Sequence, residues 1–323
     1  MHKNPKSVVR ERPKRSNAVR TKNKPAKSTR PARQKTAAAP KSSARLTLTN
    51  VDKIMFPESG LTKGDLLDYY QQIAPLMLPH IKDRPLTLER LPNGLVGKSP
   101  AHFWQKNTPD YYPSWIKRIS LPTLQDRNVQ YVLANDSDSL LYLVNQGCIT
   151  FHIYESHVGS LQKPDFVLFD LDPVNGGFAD AIKVAKTLRE FLDDANAKAF
   201  IKTSGKRGLH IFSPWKQKGG YDEARAWALK IARRVIDRLP QIATLERSIA
   251  GRKGKLYLDV IQNALGHHVV APYTIRATPS ATVSTPLDWD ELTAKLNPEK
   301  FTPAQVLQRA KREGDPWKNV LRA

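Results

Sequence analysis

Residues 166–173, Phe-Val-Leu-Phe-Asp-Leu-Asp-Pro, constrain this chain more than any other stretch. Four apolar residues run straight into two carboxylates spaced i, i+2. Length and composition predict a strand. Alternate side chains of a strand share a face. Asp170 and Asp172 therefore point the same way, with Leu171 turned into the opposite layer. Two carboxylates on one face repel and raise each other's pKa unless a cation lies between them. Their oxygens are hard ligands suited to Mg²⁺ or Mn²⁺. The alternative is plainer: both residues end a buried strand and cap the helix that follows.

Two further stretches bear on that choice. Ser204-Gly-Lys-Arg-Gly-Leu-His210 joins two strand-like runs through a glycine turn. Gly205 and Gly208 permit a tight turn whose backbone N–H groups can face an anion. Lys206 and Arg207 add positive charge, and Ser204 and His210 can donate to phosphate oxygens. Read alone, it is a basic hairpin, and His210 is equally an ordinary strand histidine. Asp259 sits inside Leu256-Tyr-Leu-Asp-Val-Ile, where a charge is costly unless paired or metal-bound. A salt bridge to Arg252, Lys253 or Lys255 is the structural alternative. Three aspartates on neighbouring strands could hold two cations roughly 3.5–4 Å apart, the spacing of two-metal phosphoryl transfer.

Charge points to the partner. The 323 residues carry a net charge of +22, with a sequence pI near 10. So basic a balance suits a polyanion, above all nucleic acid. Residues 1–45 hold 15 Lys/Arg against the single acid Glu11, with five prolines and no aromatic. That composition predicts a disordered basic tail that attracts phosphates without reading sequence; a solubilising extension or a targeting address fits it as well. The tail accounts for +14, leaving +8 on residues 46–323, the expected folded domain. No apolar run is long enough to span a bilayer, and none follows Met1 as a signal peptide would. Cys148 is the only cysteine, so no intrachain disulfide or cysteine zinc site can form, and a reducing interior such as the cytosol fits.

Patterning along the folded part alternates helices and strands, and predicts an α/β chain. Expected elements are a strand at Leu46–Thr49, a loop at 53–60, and a helix from Lys63 to Leu78 capped by Thr62. Further strands are expected at 85–90, 115–119, 129–133, 149–154, 199–203 and 255–261. Helices are expected at 137–145, 179–193 and 221–239, with a turn at Asn175–Gly177 and a basic strand or loop at 275–283.

Asp170-Leu-Asp172, the Ser204-to-His210 run and Asp259, in that order, resemble the archaeo-eukaryotic primase superfamily. The chain is more closely similar to the polymerase domain of the bacterial end-joining ligase, ligase D. Phe103-Trp-Gln-Lys106, Asn145-Gln-Gly-Cys-Ile-Thr-Phe-His152, Lys202-Thr-Ser-Gly, Ser284-Thr-Pro-Leu-Asp-Trp-Asp-Glu-Leu and Gly314-Asp-Pro-Trp317 carry that resemblance over about residues 46–320. It implies a primase-polymerase fold, α/β (α+β), with a central mixed sheet flanked by helices. It implies that Asp170, Asp172 and Asp259 bind two divalent ions, Mn²⁺ or Mg²⁺. Ser204, Lys206, Arg207, His210 and Arg276 would hold the triphosphate of an NTP or dNTP, with His152 near its sugar. Lys53 and Lys63 would grip the 5′-phosphate at a gap or break. Phe103 and Trp104 would stack on the template, Lys106 would assist, and Arg252 would contact the template near the insertion site. Trp104 stands where a second Phe is common, and a larger ring still stacks.

The implied activity is template-dependent nucleotide addition at gapped or broken double-stranded DNA during end joining, with release of pyrophosphate. The resemblance also implies a separate ATP-dependent ligase and the end-binding protein Ku as partners, no membrane, and a cytoplasmic, nucleoid-associated location. Three other readings use the same residues: a non-catalytic DNA-end binding module, a metal-dependent nuclease or phosphoesterase, and a primase that starts chains without a primer.

Overall fold

A computed structural model describes residues 44–97, 102–122, 128–174, 177–318 and 320. The expected tail, apart from Ala44 and Arg45, and the first two residues of the expected turn at 175–177 lie outside the described residues. In chain order the elements are β1 (Ile54–Phe56), β2 (Leu61–Thr62), α1 (Lys63–Ile81), β3 (Leu86–Arg90), β4 (Phe103–Gln105), β5 (Arg118–Pro122), β6 (Asn128–Val132), α2 (Ser137–Asn145), β7 (Cys148–Tyr154), β8 (Phe166–Asp172), α3 (Phe178–Asp194), β9 (Phe200–Thr203), β10 (Leu209–Pro214), α4 (Tyr221–Arg238), β11 (Ala243–Thr244), β12 (Leu256–Asp259), β13 (His268–Val270), β14 (Pro286–Leu287) and α5 (Pro303–Glu313).

The strands form two six-stranded sheets and a small β1–β2 hairpin. One sheet has the order β11-β12-β8-β10-β9-β14; the other runs β13-β7-β3-β6-β5, with β4 paired to β3. The first is mixed, because β11 and β12 are parallel while β8 is antiparallel to both β10 and β12. It is the expected mixed sheet carrying the three aspartates. The second sheet is an addition that strand patterning alone does not separate from the first.

Alternation along β8 divides the core. Val167, Phe169 and Leu171 are buried with Ala181, Val184 and Leu188 of α3 and Ala224, Ala228 and Ile231 of α4. Phe166 and Leu168 join a different cluster, with Leu86 and Leu88 of β3 and Phe151 and Ile153 of β7. Asp170 and Asp172 follow on that second face. In β7 the apolar residues Ile149, Phe151 and Ile153 alternate with Thr150, His152 and Tyr154. Tyr70 of α1 donates from its hydroxyl to Ile149 O (2.5 Å), and its ring meets Phe151 edge-on at 5.3 Å.

Local signals fare unevenly. Thr62 caps α1 as expected: Thr62 Oγ1 accepts from Asp65 N (3.2 Å) and Thr62 N donates to Asp65 Oδ2 (2.8 Å), a reciprocal capping box. The helix does not stop at Leu78. It runs through Pro79 to Ile81, because His80 and Ile81 are buried and His80 Nε2 meets Asp315 Oδ2 at 2.9 Å. Residues 46–49 form no strand: Asn145 takes the place of a ladder, accepting from Thr49 N (3.1 Å) and donating to Thr47 O (2.9 Å). Within the expected loop at 53–60, Ile54–Phe56 pairs with Leu61–Thr62. Residues 275–283 are joined by a single bridge, Ile275 to Val283.

Candidate active site

Sheet register brings the chemistry together. Asp170 is the cross-strand neighbour of His210 on one side and of Asp259 on the other. Directly opposed residues share a face, so Asp259, Asp170 and His210 form one row across three strands. Asp172, two residues on, lies beside Tyr257.

A cavity of about 400 Å³ opens over this row. Its wall includes Asp170, Asp172, His152, Ser204, Lys206, Arg207, His210, Arg252 and Arg276. Nine of the fifteen expected site residues thus converge, drawn from β7, β8, the β9–β10 turn, β10 and two later loops. Asp259 is not among the wall residues. Its carboxylate accepts from Ile261 N (2.8 Å) and from Gln262 Nε2 (3.3 Å). Among the described residues no three His, Cys, Asp or Glu side chains are gathered tightly enough to form a ready metal cluster.

Electrostatics nevertheless mark the aspartates as ligand-seeking. Burial pushes the Asp170 carboxyl up, against the pull of Lys202 and Arg276. Asp172 is raised by burial and then by the charges of Asp170 and Asp259, with Arg252 and Arg207 opposing. Asp170 Oδ1 is buried with no hydrogen-bond partner, although His210 Nε2 stands 3.3 Å away without the alignment of a hydrogen bond. A buried, unpaired carboxylate oxygen is costly, and a hard divalent cation is the species that would relieve it.

The basic turn is more self-contained than its sequence suggests. Gly205 adopts φ +71°. A Cβ on Gly208 would lie 2.2 Å from Leu171 O, so only glycine lets the turn close against β8. Ser204 Oγ accepts from Lys206 N (3.2 Å) and Gly208 N (3.0 Å). Two of the backbone donors expected to face an anion are thereby engaged, which leaves the side chains to do that work. Lys206 and Arg207 are exposed, and Arg276, which is buried, donates from Nη1 to Ser204 O (2.6 Å). Arg276 Nε, Arg252 Nε and His152 Nδ1 are buried without partners. Burial and the charge of Arg276 hold the His152 imidazole well below its ordinary pKa, so it is neutral.

Of the residues expected to meet DNA, Arg252 is on the cavity wall and the others lie in two places outside it. Lys53 and Lys63 are adjacent at the start of α1, where Lys63 N donates to Lys53 O (2.8 Å). Lys53 Nζ donates to Pro92 O (2.7 Å) and Asn93 Oδ1 (2.8 Å), and Lys63 Nζ to Thr49 O (2.8 Å). Burial and the neighbouring Lys53 push the Lys63 ammonium down to about 8. Two cations held together at a helix N-terminus make a place for an anion. Phe103 and Trp104, on β4, are 45 % and 51 % exposed, which excludes ordinary core packing. Trp104 meets His152 edge-on at 4.7 Å, so Trp104 reaches the cavity through His152, while Arg90 stands 5.1 Å over Phe103. Exposed Lys106 follows it, and its charge reaches His267 and His268. Arg252 lies 4.2 Å from the Tyr257 ring.

Sequence reading missed several residues here. His268 lines the cavity with a buried, unpartnered Nε2, and burial pushes it down to about 3. Gln262 lines it too. Thr87, Glu89 and Thr150 each bury an unpartnered side-chain oxygen, and β3–β7 register sets Thr87 beside His152 and Glu89 beside Thr150. Lys202 is fully buried behind His210. The signal for Lys202 was a lysine inside the apolar run Phe200-Ile-Lys-Thr; the others carry no local signal.

A family description, the LigD primase-polymerase domain, matches residues 62–317. The "Bifunctional non-homologous end joining protein LigD" of Bacillus subtilis is 32 % identical over 280 residues, 86 % of this chain and 44 % of that protein. The "Multifunctional non-homologous end joining protein LigD" of Mycolicibacterium smegmatis is 31 % identical over 84 % of this chain and 35 % of its own length. The chain therefore spans less than half of these relatives. Among solved structures, the polymerase domain of Mycobacterium tuberculosis ligase D in complex with DNA superposes with a TM-score of 0.80 at 30 % identity, over 87 % of this chain and 99 % of that one.

Proposed function

We propose that this chain, which belongs to the LigD primase-polymerase domain family, is a template-directed nucleotidyltransferase that extends 3′ ends at gaps and breaks in DNA during non-homologous end joining. Residues 46–323 are its catalytic domain. One observation carries the reading: Asp170, whose Oδ1 is buried without a partner, and the exposed, repelling Asp172 on the same face of β8 share a cavity with five side chains suited to a triphosphate, Ser204, Lys206, Arg207, His210 and Arg276.

Asp170 and Asp172 are the first oxygen donors for two divalent ions, Mn²⁺ or Mg²⁺, and Asp259 is the third. Their hard, anionic donor set suits such ions. Bound there, the ions would supply the Lewis acidity that activates a primer 3′-hydroxyl and stabilises the departing pyrophosphate. Arg276 and Arg207 bind phosphate oxygens through planar guanidinium donors, and Lys206 adds a point charge. Ser204 donates its free hydroxyl proton. Neutral His152 orients the nucleotide from the facing sheet. Phe103 and Trp104 offer stacking surface that accepts any base, Arg252 and Lys106 neutralise the template strand, and Lys53 with Lys63 receives a 5′-phosphate. The relatives' names support end joining as the setting. A ligase and an end-binding protein are the partners this setting calls for.

Primer extension on gapped DNA with Mn²⁺ and nucleoside triphosphates tests the reading; addition of a templated nucleotide is expected. Tight DNA binding without addition replaces it with a binding module. Shortening of the DNA without added nucleotide replaces it with a nuclease, and extension without a primer with a primase.

Two quantitative expectations arise here. Both carboxyls are raised on folding, so the stability they contribute is full below the ordinary carboxylate range. It is lost as pH climbs through their folded values toward neutrality. A divalent ion reverses that loss only where the carboxyls are ionised. Mn²⁺ at a hundred times its dissociation constant should raise the melting temperature by roughly 5–10 °C at pH 8 and by far less at pH 5. Equal shifts at both pH values would place the ion elsewhere. Replacing Phe103 and Trp104 together by Ala should weaken template-dependent binding about tenfold or more, since stacking contributes about 1–3 kcal/mol per base. Fluorescence anisotropy with a single-stranded overhang measures it; unchanged affinity would return the pair to mere surface.

A further inference from the structure

One buried ionisable group has no part in the mechanism above. Lys202, in the middle of β9, is 0 % exposed. Its Nζ donates to Ser284 Oγ at 2.6 Å and lies 3.0 Å from His210 Nδ1. Ser284 Oγ in turn donates to Thr203 O at 2.9 Å. That last bond commits the serine proton, so the lysine must be the donor to Ser284. On its other side His210 places Nε2 3.3 Å from Asp170 Oδ1, on the cavity wall. The four residues come from strands β8, β9 and β10 and from the segment just before β14, and they form one chain running from the core to the cleft.

We propose that Lys202, anchored by Ser284, is a positioning residue that fixes His210 in the tautomer carrying its proton on Nε2. As an ammonium, Lys202 has three N–H donors and no lone pair; one N–H goes to Ser284 and another to His210 Nδ1. The ring nitrogen that accepts cannot also hold the proton, so the proton sits on Nε2. With Nδ1 accepting from the ammonium at 3.0 Å, the ring is neutral and carries a single proton. His210 therefore offers the cleft one N–H donor and never a bare nitrogen. The donor stands beside Asp170 without being consumed by it, free for an oxygen of an incoming triphosphate. The assignment of that oxygen rests on the polymerase reading; the tautomer does not.

Nitrogen NMR of ring-labelled histidine in the full chain, without nucleotide, tests the tautomer directly. The wild-type protein should show His210 with a bare Nδ1 and a protonated Nε2. Lys202→Met, which keeps length and removes the donor, should add the Nδ1-protonated form. Ser284→Ala should shift the ring signals the same way by less, and keeps the test open if the lysine variant does not fold. Unchanged His210 ring signals in a folded Lys202→Met protein, or in Ser284→Ala where the former does not fold, overturn the proposal. In nucleotide addition both variants should raise the KM for the triphosphate, Lys202→Met by about tenfold, with a smaller change in kcat, as loss of one oriented donor to a charged group predicts. A fall in kcat at unchanged KM would assign Lys202 a role in the chemical step and overturn the proposal. If the wild-type protein adds no nucleotide, the polymerase reading fails, and the ring signals alone decide the tautomer.

Discussion

Asp170→Asn should lower templated nucleotide addition by roughly two to three orders of magnitude, the scale seen when one group stabilising a transition state is removed. The substitution keeps the shape of the side chain and removes its charge. It also removes the repulsion that raises Asp172, a large contributor there after burial. The metal-free variant should therefore melt at or above the wild-type temperature at pH 8, and the stabilisation by Mn²⁺ should shrink. DNA affinity, carried by residues outside the row of acids, should stay near normal. This combination separates a lost ligand from a lost fold. Retained addition by Asp170→Asn would remove the metal hypothesis outright.

Replacing Lys53 and Lys63 together by Ala should erase the preference for a 5′-phosphorylated gap over an unphosphorylated one. A single charge-assisted contact is worth about 1.5–3 kcal/mol, so even one of the two places roughly tenfold to a hundredfold of discrimination at stake. The rate on an unphosphorylated gap should not change, because neither lysine lines the cavity. The lowered pKa of Lys63 sharpens the expectation. A nearby anion raises an ammonium's pKa, so a phosphorylated end should bring Lys63 back toward its ordinary value, and phosphate preference should weaken as pH rises past about 8. If phosphorylated and unphosphorylated gaps are still distinguished as before, the phosphate pocket lies elsewhere.

Much of the site was legible because its residues sit on short local patterns. The i, i+2 spacing of Asp170 and Asp172 states their common face, and the glycines of the 204–210 turn state its tightness. Asp259 was legible as an acid on a strand, and β12–β8 register puts it opposite Asp170. Its present engagement with Ile261 and Gln262 was not, since it depends on how the chain turns after β12. The helical ends reflect the same limit. The expected helix ends at Leu78, yet burial of His80 and Ile81 carries α1 onward. Leu46–Thr49 alternates like a strand, but its hydrogen bonds go to Asn145, 96 residues away from Thr49. Lys202, His210 and Ser284 show the limit most clearly. The lysine and the serine are 82 positions apart, and only the finished sheet makes them partners.

The alternation along β8 has a consequence for how this region can vary in length. Val167, Phe169 and Leu171 face α3 and α4, and Asp170 and Asp172 face the cleft. An insertion or deletion of a single residue between Phe166 and Phe169 would turn both acids toward the helices and Leu171 into the cavity. The residue count of this strand is therefore locked, since a shift of one position there disrupts packing and chemistry together.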